Sequence, residues 1–129
     1  MINNTLKAVG FDKIIIHDNY LQKQNGNIEL DCNSLAKGYA VDRISKLLEN
    51  KAIDNYMIDI GGEIRARGMN TKDKFWSIGI QNPSDRGVLT TIELQNMSIA
   101  TSGVYNNFIV IDGKKYPHII NPKTGYPIN

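Results

Sequence analysis

A chain of 129 residues with 41% hydrophobic and 22% charged residues is sized and composed for one soluble globular domain. Fifteen basic against thirteen acidic residues leave a net charge of +2, and the basic residues are scattered, so no electrostatic footprint for nucleic acid or a lipid surface stands out. The lone Cys32 excludes an internal disulfide and a cysteine-rich metal site. No apolar run approaches a membrane span, and the opening MINNTLKAVG lacks the parts of a signal peptide.

In chain order, FDKIIIHDNYLQKQNGNIELD predicts a β-hairpin. Its apolar run Ile14 to Ile16 and a shorter run ending at Leu30 flank a connection through Asn25-Gly26-Asn27. The main helix is expected over about residues 34–50. Ala36, Ala40, Ile44, Leu47 and Leu48 recur at three- and four-residue steps, with Asn33 or Ser34 as cap and Asn50 near the end. NYMIDIGGEIRARG then reads as two strands around a sharp Gly61-Gly62 bend, with Ile64 and Ala66 on one side of the second. FWSIGI, VLTTIEL and MSIA supply further strands, and NNFIVIDGKKYPHII is a hairpin around Asp112-Gly113. Many short, mainly antiparallel strands with one main helix make an α+β fold.

Four polar, glycine-bearing stretches fall where strands give way to turns or to the helix: LDCNSLAKGYAVD, DIGGEIRARG, IATSG and HIINPKTGYP. Such ends present backbone N–H groups and short hydroxyls, which a pyrophosphate needs. Singly each has an ordinary explanation: a bend, a turn, a solvated lysine. Lys37 is the exception in kind, because a cation in the first turn of a helix opposes the dipole and is easier to understand with an anion beside it. His118 is either a half-buried strand residue satisfied by a carbonyl or a group that donates to, or accepts a proton from, a phosphate-ester oxygen or an attacking hydroxyl. His17, with no phosphate-type turn beside it, is read as structural.

The order of these stretches is more specific than any of them. LAKGYAVDRISKLL, IDIGGEIRARG, WSIGIQNP, ATSG and DGKKYPHIINPKTGYPI, spread over nearly the whole chain from about Thr5, closely resemble the ApbE family of FAD:protein FMN transferases. The resemblance implies a portion of a single T-fold-like flavin transferase domain spanning 1–129. It also implies a Mg²⁺-dependent reaction that moves FMN from FAD to a threonine hydroxyl of an acceptor flavoprotein, of the Nqr or Rnf type or related to it, with release of AMP. By the same resemblance, His118 is the catalytic histidine. Asp31, Lys37 and Ile120 contact FAD, Gly61, Gly62, Thr101, Ser102, Thr124 and Gly125 lie in cofactor-binding motifs, and Ser34 offers its backbone carbonyl to Mg²⁺.

This sequence departs from many relatives at Cys32-Asn33-Ser34, which is less rich in glycine, and at Asn121, where Asp is common. The resemblance further implies that the remaining metal ligands lie downstream of the final motif. The chain is therefore expected to be the central piece of a longer, membrane-anchored, extracytoplasmic lipoprotein, and inactive alone. The alternatives are a non-catalytic flavin- or nucleotide-binding module, a Mg²⁺-dependent FAD pyrophosphatase, and a bare structural core.

Overall fold

A computed structural model describes residues 1–85, 87–103 and 107–128. In chain order the elements are helix α1 (Ile2–Leu6), strands β1 (Ile14–Ile16) and β2 (Leu21–Lys23), helix α2 (Asn33–Glu49), and strands β3 (Tyr56–Ile60), β4 (Glu63–Arg67), β5 (Trp76–Gln81), β6 (Val88–Leu94), β7 (Met97–Ile99), β8 (Phe108–Ile111) and β9 (Lys114–Pro117). All pairings among them are antiparallel, and the α+β expectation holds. The chain divides into two compact units, Asp31–Ser102 and the pair of segments Met1–Leu30 and Gly103–Asn129.

The Asp31–Ser102 unit is built on the sheet β3-β4-β7. Its β3–β4 turn is Gly61-Gly62, with φ of 58° and 93°, a left-handed pair that matches the strand twist and that side-chain-bearing residues adopt poorly. Because side chains alternate across a strand, register decides what each face carries. Tyr56, Ile58 and Ile60 stand opposite Arg67, Arg65 and Glu63, and this face packs on α2 through Val41 and Leu48. The other face carries Ile64 and Ala66, buried with Leu94 against Trp76, Ile78 and Ile99, as the sequence pattern requires.

Helix α2 corrects two expectations. It starts one residue earlier, with Cys32 in the N-cap position and no side-chain cap there; the Asp31 carboxylate instead accepts the Asn33 N–H at 2.7 Å. The face turned to the sheet also departs from the Ala36-Ala40-Ile44-Leu47-Leu48 stripe: Leu47 is 54% exposed, and of that set Leu48 packs on the core. Val41, Ser45 and Leu48 face inward. A serine is tolerated there because its hydroxyl pairs with that of Tyr56, and both reach the Glu49 carboxylate. A satisfied polar group can take a buried position that apolar periodicity alone would deny it.

In the other unit, the first hairpin exists but turns elsewhere. β1 pairs with β2 through a connection at residues 17–20, closed by His17 N–H to the Tyr20 carbonyl and by stacking of the two rings. Asn25-Gly26-Asn27 makes a separate turn after β2, and the run ending at Leu30 is not a strand. The β8–β9 hairpin turns at Asp112-Gly113, with φ of 49° and 75°, as expected; Asn106, at the head of that stretch, lies outside the described residues.

Candidate functional site

Within the Asp31–Ser102 unit, three elements converge on the Gly61-Gly62 turn. Lys37, on the first turns of α2, donates from Nζ to the Gly61 carbonyl at 3.1 Å and pairs with Glu63 Oε2 at 2.5 Å. A methyl group in place of the Gly61 hydrogen would lie 3.6 Å from Lys37 Cδ, and one at Gly62 would lie 3.4 Å from Thr101 Oγ1. Lys37, Gly61, Gly62 and Thr101 are thus brought together. Ser102 is exposed nearby in sequence, and the Asp59 carboxylate accepts the Gly62 N–H at 2.9 Å.

The anion beside Lys37 is Glu63, a residue not singled out by its sequence. The signal was present: with Ile64 and Ala66 buried on one face of β4, alternation sends Glu63, Arg65 and Arg67 to the face that meets α2. Each finds a partner there, Lys37 for Glu63, Asp42 for Arg65 and Glu49 for Arg67. The Tyr56 hydroxyl, with Arg67, holds the Glu49 carboxyl below its ordinary pKa, and Glu49 in turn raises that of Arg67. This network borders a cavity of about 320 Å³ lined by Glu49, Arg65, Ala66, Arg67 and Asn96.

In the other unit, His118 follows β9 directly. Its Nδ1 lies 2.9 Å from the Asn107 carbonyl, which also receives the His118 backbone N–H at 3.1 Å. A carbonyl can only accept, so Nδ1 is the donor, and in the neutral ring Nε2 holds the lone pair. The side chain is exposed rather than half-buried, with its ring satisfied by a carbonyl on Nδ1 and no hydrogen-bond partner on Nε2 among the described residues. It borders a cavity of about 410 Å³ whose lining includes Phe108, Tyr116, Pro117, Ile120 and Pro127, within the size range of small-ligand sites.

The Pro-Lys-Thr-Gly turn differs from a phosphate cradle. The N–H groups of Thr124 and Gly125 bond to the Asn121 carbonyl, that of Lys123 to Asn121 Oδ1, and that of Tyr126 to Thr124 Oγ1. An Ile120–Pro127 bridge closes the loop. Its donors are therefore consumed internally. Gly125 has φ of 73°, and a Cβ there would lie 2.5 Å from Ile2 Cγ2 of α1, which gives this glycine a packing reason of its own.

Asp31, one residue before the N-cap position, accepts the Asn33 N–H at the start of α2, and Ser34, in the first turn, is exposed. Among the described residues no group of three or more His, Cys, Asp or Glu could hold a metal ion. A single neutral carbonyl at Ser34 does not fit Mg²⁺, which takes six oxygen ligands in near-octahedral geometry. Among the described residues, no helix is long and apolar enough to cross a membrane.

The profile of the ApbE family matches residues 1–129. The chain is 43% identical over 127 residues to a FAD:protein FMN transferase of Haemophilus influenzae, covering 93% of this chain and 37% of that protein. It is 42% identical over 129 residues to the protein of that name from Vibrio cholerae, covering 98% and 39%. The solved structure of the flavin transferase ApbE from Vibrio cholerae superposes with a TM-score of 0.86 at 39% identity, over 99% of this chain and 41% of that one. The chain thus spans about two-fifths of the length of the relatives it matches.

Proposed function

This chain belongs to the ApbE family, and we propose from that membership that it contributes to an FAD:protein FMN transferase. The reaction is attack of a threonine hydroxyl of an acceptor flavoprotein on the riboflavin-side phosphorus of FAD. The new bond is a phosphoester between threonine and FMN. The bond that breaks is the pyrophosphate P–O link to AMP, which leaves with the electron pair, and the hydroxyl proton passes to His118 Nε2. The observation that carries this reading is the state of His118: Nδ1 committed to a carbonyl, Nε2 open, at the border of a cavity that also exposes Ile120. A neutral imidazole fixed in that tautomer is suited to accept a proton near neutral pH.

Lys37 supplies positive charge to a phosphate oxygen, and the glycines at 61 and 62 leave room for the ligand beside the backbone. Asp31 orders the start of α2, Ile120 packs on the flavin, and Thr101, Ser102 and Thr124 offer hydroxyls; Gly125 shapes the final turn. Mg²⁺ would neutralise charge on the pyrophosphate. Because Ser34 alone does not make a site for it, no step is assigned through the metal, and its other ligands are assigned to residues outside this chain. The 129 residues are accordingly one part of a single transferase domain and do not turn over by themselves. Acceptors of the Nqr or Rnf type, and anchorage of the whole protein outside the cytoplasm as a lipoprotein, complete the reading.

The test is incubation of the whole protein with FAD, Mg²⁺ and an acceptor bearing the target threonine, with AMP and covalent flavin both measured. Transfer yields the two together. AMP with free FMN identifies a pyrophosphatase, and FAD binding with neither product identifies a binding module.

A further inference from the structure

The four ion pairs between β4 and α2 among the described residues are not alike. In three of them the strand carries the arginine and the helix the acid, Arg65 with Asp42 and with Glu49, and Arg67 with Glu49. In the fourth the signs are exchanged, with Glu63 on the strand and Lys37 on the helix. A pair needed only to join strand to helix would favour the acid on the helix here as well, since this is the N-terminal end of α2, where the dipole opposes a cation. The reversal places a lysine where its helix disfavours it and makes the strand supply the compensation.

Glu63 is shaped for that task. Its side chain is 21% exposed, against 49% for Lys37, and its Oε2 is buried, with the lysine as its ionic partner and no directed hydrogen bond. It stands immediately after the Gly61-Gly62 turn, where its backbone is fixed by register with Ile60. Lys37 Nζ has three donors. One faces Glu63 and one the Gly61 carbonyl, which leaves one for a ligand on a half-exposed ammonium. A flexible four-carbon stem is thereby held before any ligand arrives, as the lysine–glutamate pair of protein kinases holds the phosphate-binding lysine of those enzymes.

We infer that Glu63 is the positioning residue for Lys37, fixing its ammonium beside the Gly61-Gly62 turn for contact with a phosphate oxygen of FAD. This rests on the proposed FAD contact of Lys37. The test is a double-variant cycle in the whole protein, with FAD dissociation constants measured by titration for wild type, Lys37→Ala, Glu63→Gln and the double variant. Thermal melting is followed in parallel, and Glu63→Asp serves as the charge-conserving control.

Glu63→Gln is expected to weaken FAD binding about fivefold to tenfold, Glu63→Asp to recover at least half of that loss, and the glutamine substitution to add less than twofold once Lys37 is absent. A merely structural Glu63 would instead add its full effect in the Lys37→Ala background, and that additivity overturns the inference. So does FAD binding that is unchanged or tighter in Glu63→Gln, which would mean that the carboxylate competes with phosphate for the lysine. If Lys37→Ala itself leaves FAD affinity unchanged, the FAD contact fails first and the positioning role with it. Weakening in Lys37→Ala with none in Glu63→Gln removes the positioning role alone.

Discussion

The Gly61-Gly62 turn and the Asn121–Tyr126 turn contain glycines of the same left-handed kind, yet they are held in opposite ways. Around Gly61-Gly62 the supporting groups come from α2, β3, β4 and the segment after β7, and they are charged: Lys37, Asp59 and Glu63, with the Thr101 hydroxyl beside them. The Asn121–Tyr126 turn is held by its own backbone and two of its own side chains, Asn121 and Thr124. The first arrangement leaves a cation with a donor to spare. The second leaves no free donors among its bonded N–H groups, and the role proposed there falls to the neighbouring His118 instead. A glycine-rich turn before a helix or after a strand is thus a poor guide to ligand binding until its donors have been accounted for.

The largest effect that would break this contrast is at His118. His118→Ala in the whole protein should lower flavin transfer at least about a hundredfold, the scale of a positioned base, while FAD affinity changes little. Transfer at the normal rate, measured by covalent flavin on the acceptor, would remove the base from the mechanism.

Next come the glycines themselves. Gly125→Ala meets both a left-handed φ and Ile2 Cγ2 at 2.5 Å, so a loss of about 2–3 kcal/mol in urea unfolding is expected. Gly61→Ala, whose added carbon meets Lys37 only at ordinary contact distance, should lose about 1 kcal/mol, the conformational cost alone. Equal losses would mean that the two turns are supported alike.

Lys37→Ala should weaken FAD binding roughly tenfold, with a smaller change in turnover, because a phosphate contact present in both ground and transition states acts mainly on affinity. An unchanged dissociation constant in calorimetry would leave the charged turn without a ligand.

The smallest effect lies in the network behind that turn. The Glu49 carboxyl titrates below its ordinary value of 4.5 in the folded chain, so its contribution is fully present above that value and disappears as pH falls through the lower folded one. Glu49→Gln should therefore flatten the acid side of the stability curve as pH falls below about 4.5 and reduce stability at neutral pH. A curve of unchanged slope would show that Tyr56 and Arg67 do not favour the ionised form.

The same contrast explains what could be read in advance. The β3–β4 and β8–β9 turns were legible because Gly-Gly and Asp-Gly demand positive φ locally, and Ile64 and Ala66 were legible because alternation needs no knowledge of the partner. The inward face of α2 was not, since Ser45 becomes a core residue only when Tyr56, eleven positions on, offers its hydroxyl. The first hairpin was misplaced because Asn-Gly-Asn is a strong turn signal, while the His17–Tyr20 stack that makes the real connection has no comparable local signature. The role proposed for His118 rests on its contiguous string of neighbours. That of Glu63 was not legible, because its meaning depends on a lysine 26 positions earlier, brought near by the packing of α2 on β4.

The central claim, that this chain serves transfer of FMN rather than simple cleavage of FAD, is tested most directly by the product ratio. With the whole protein, FAD, Mg²⁺ and an acceptor, mass spectrometry of the acceptor and chromatography of the nucleotides should give one threonine-linked FMN for each AMP released, and none when that threonine is replaced by valine. AMP released at the same rate without the threonine, accompanied by free FMN, would contradict the account.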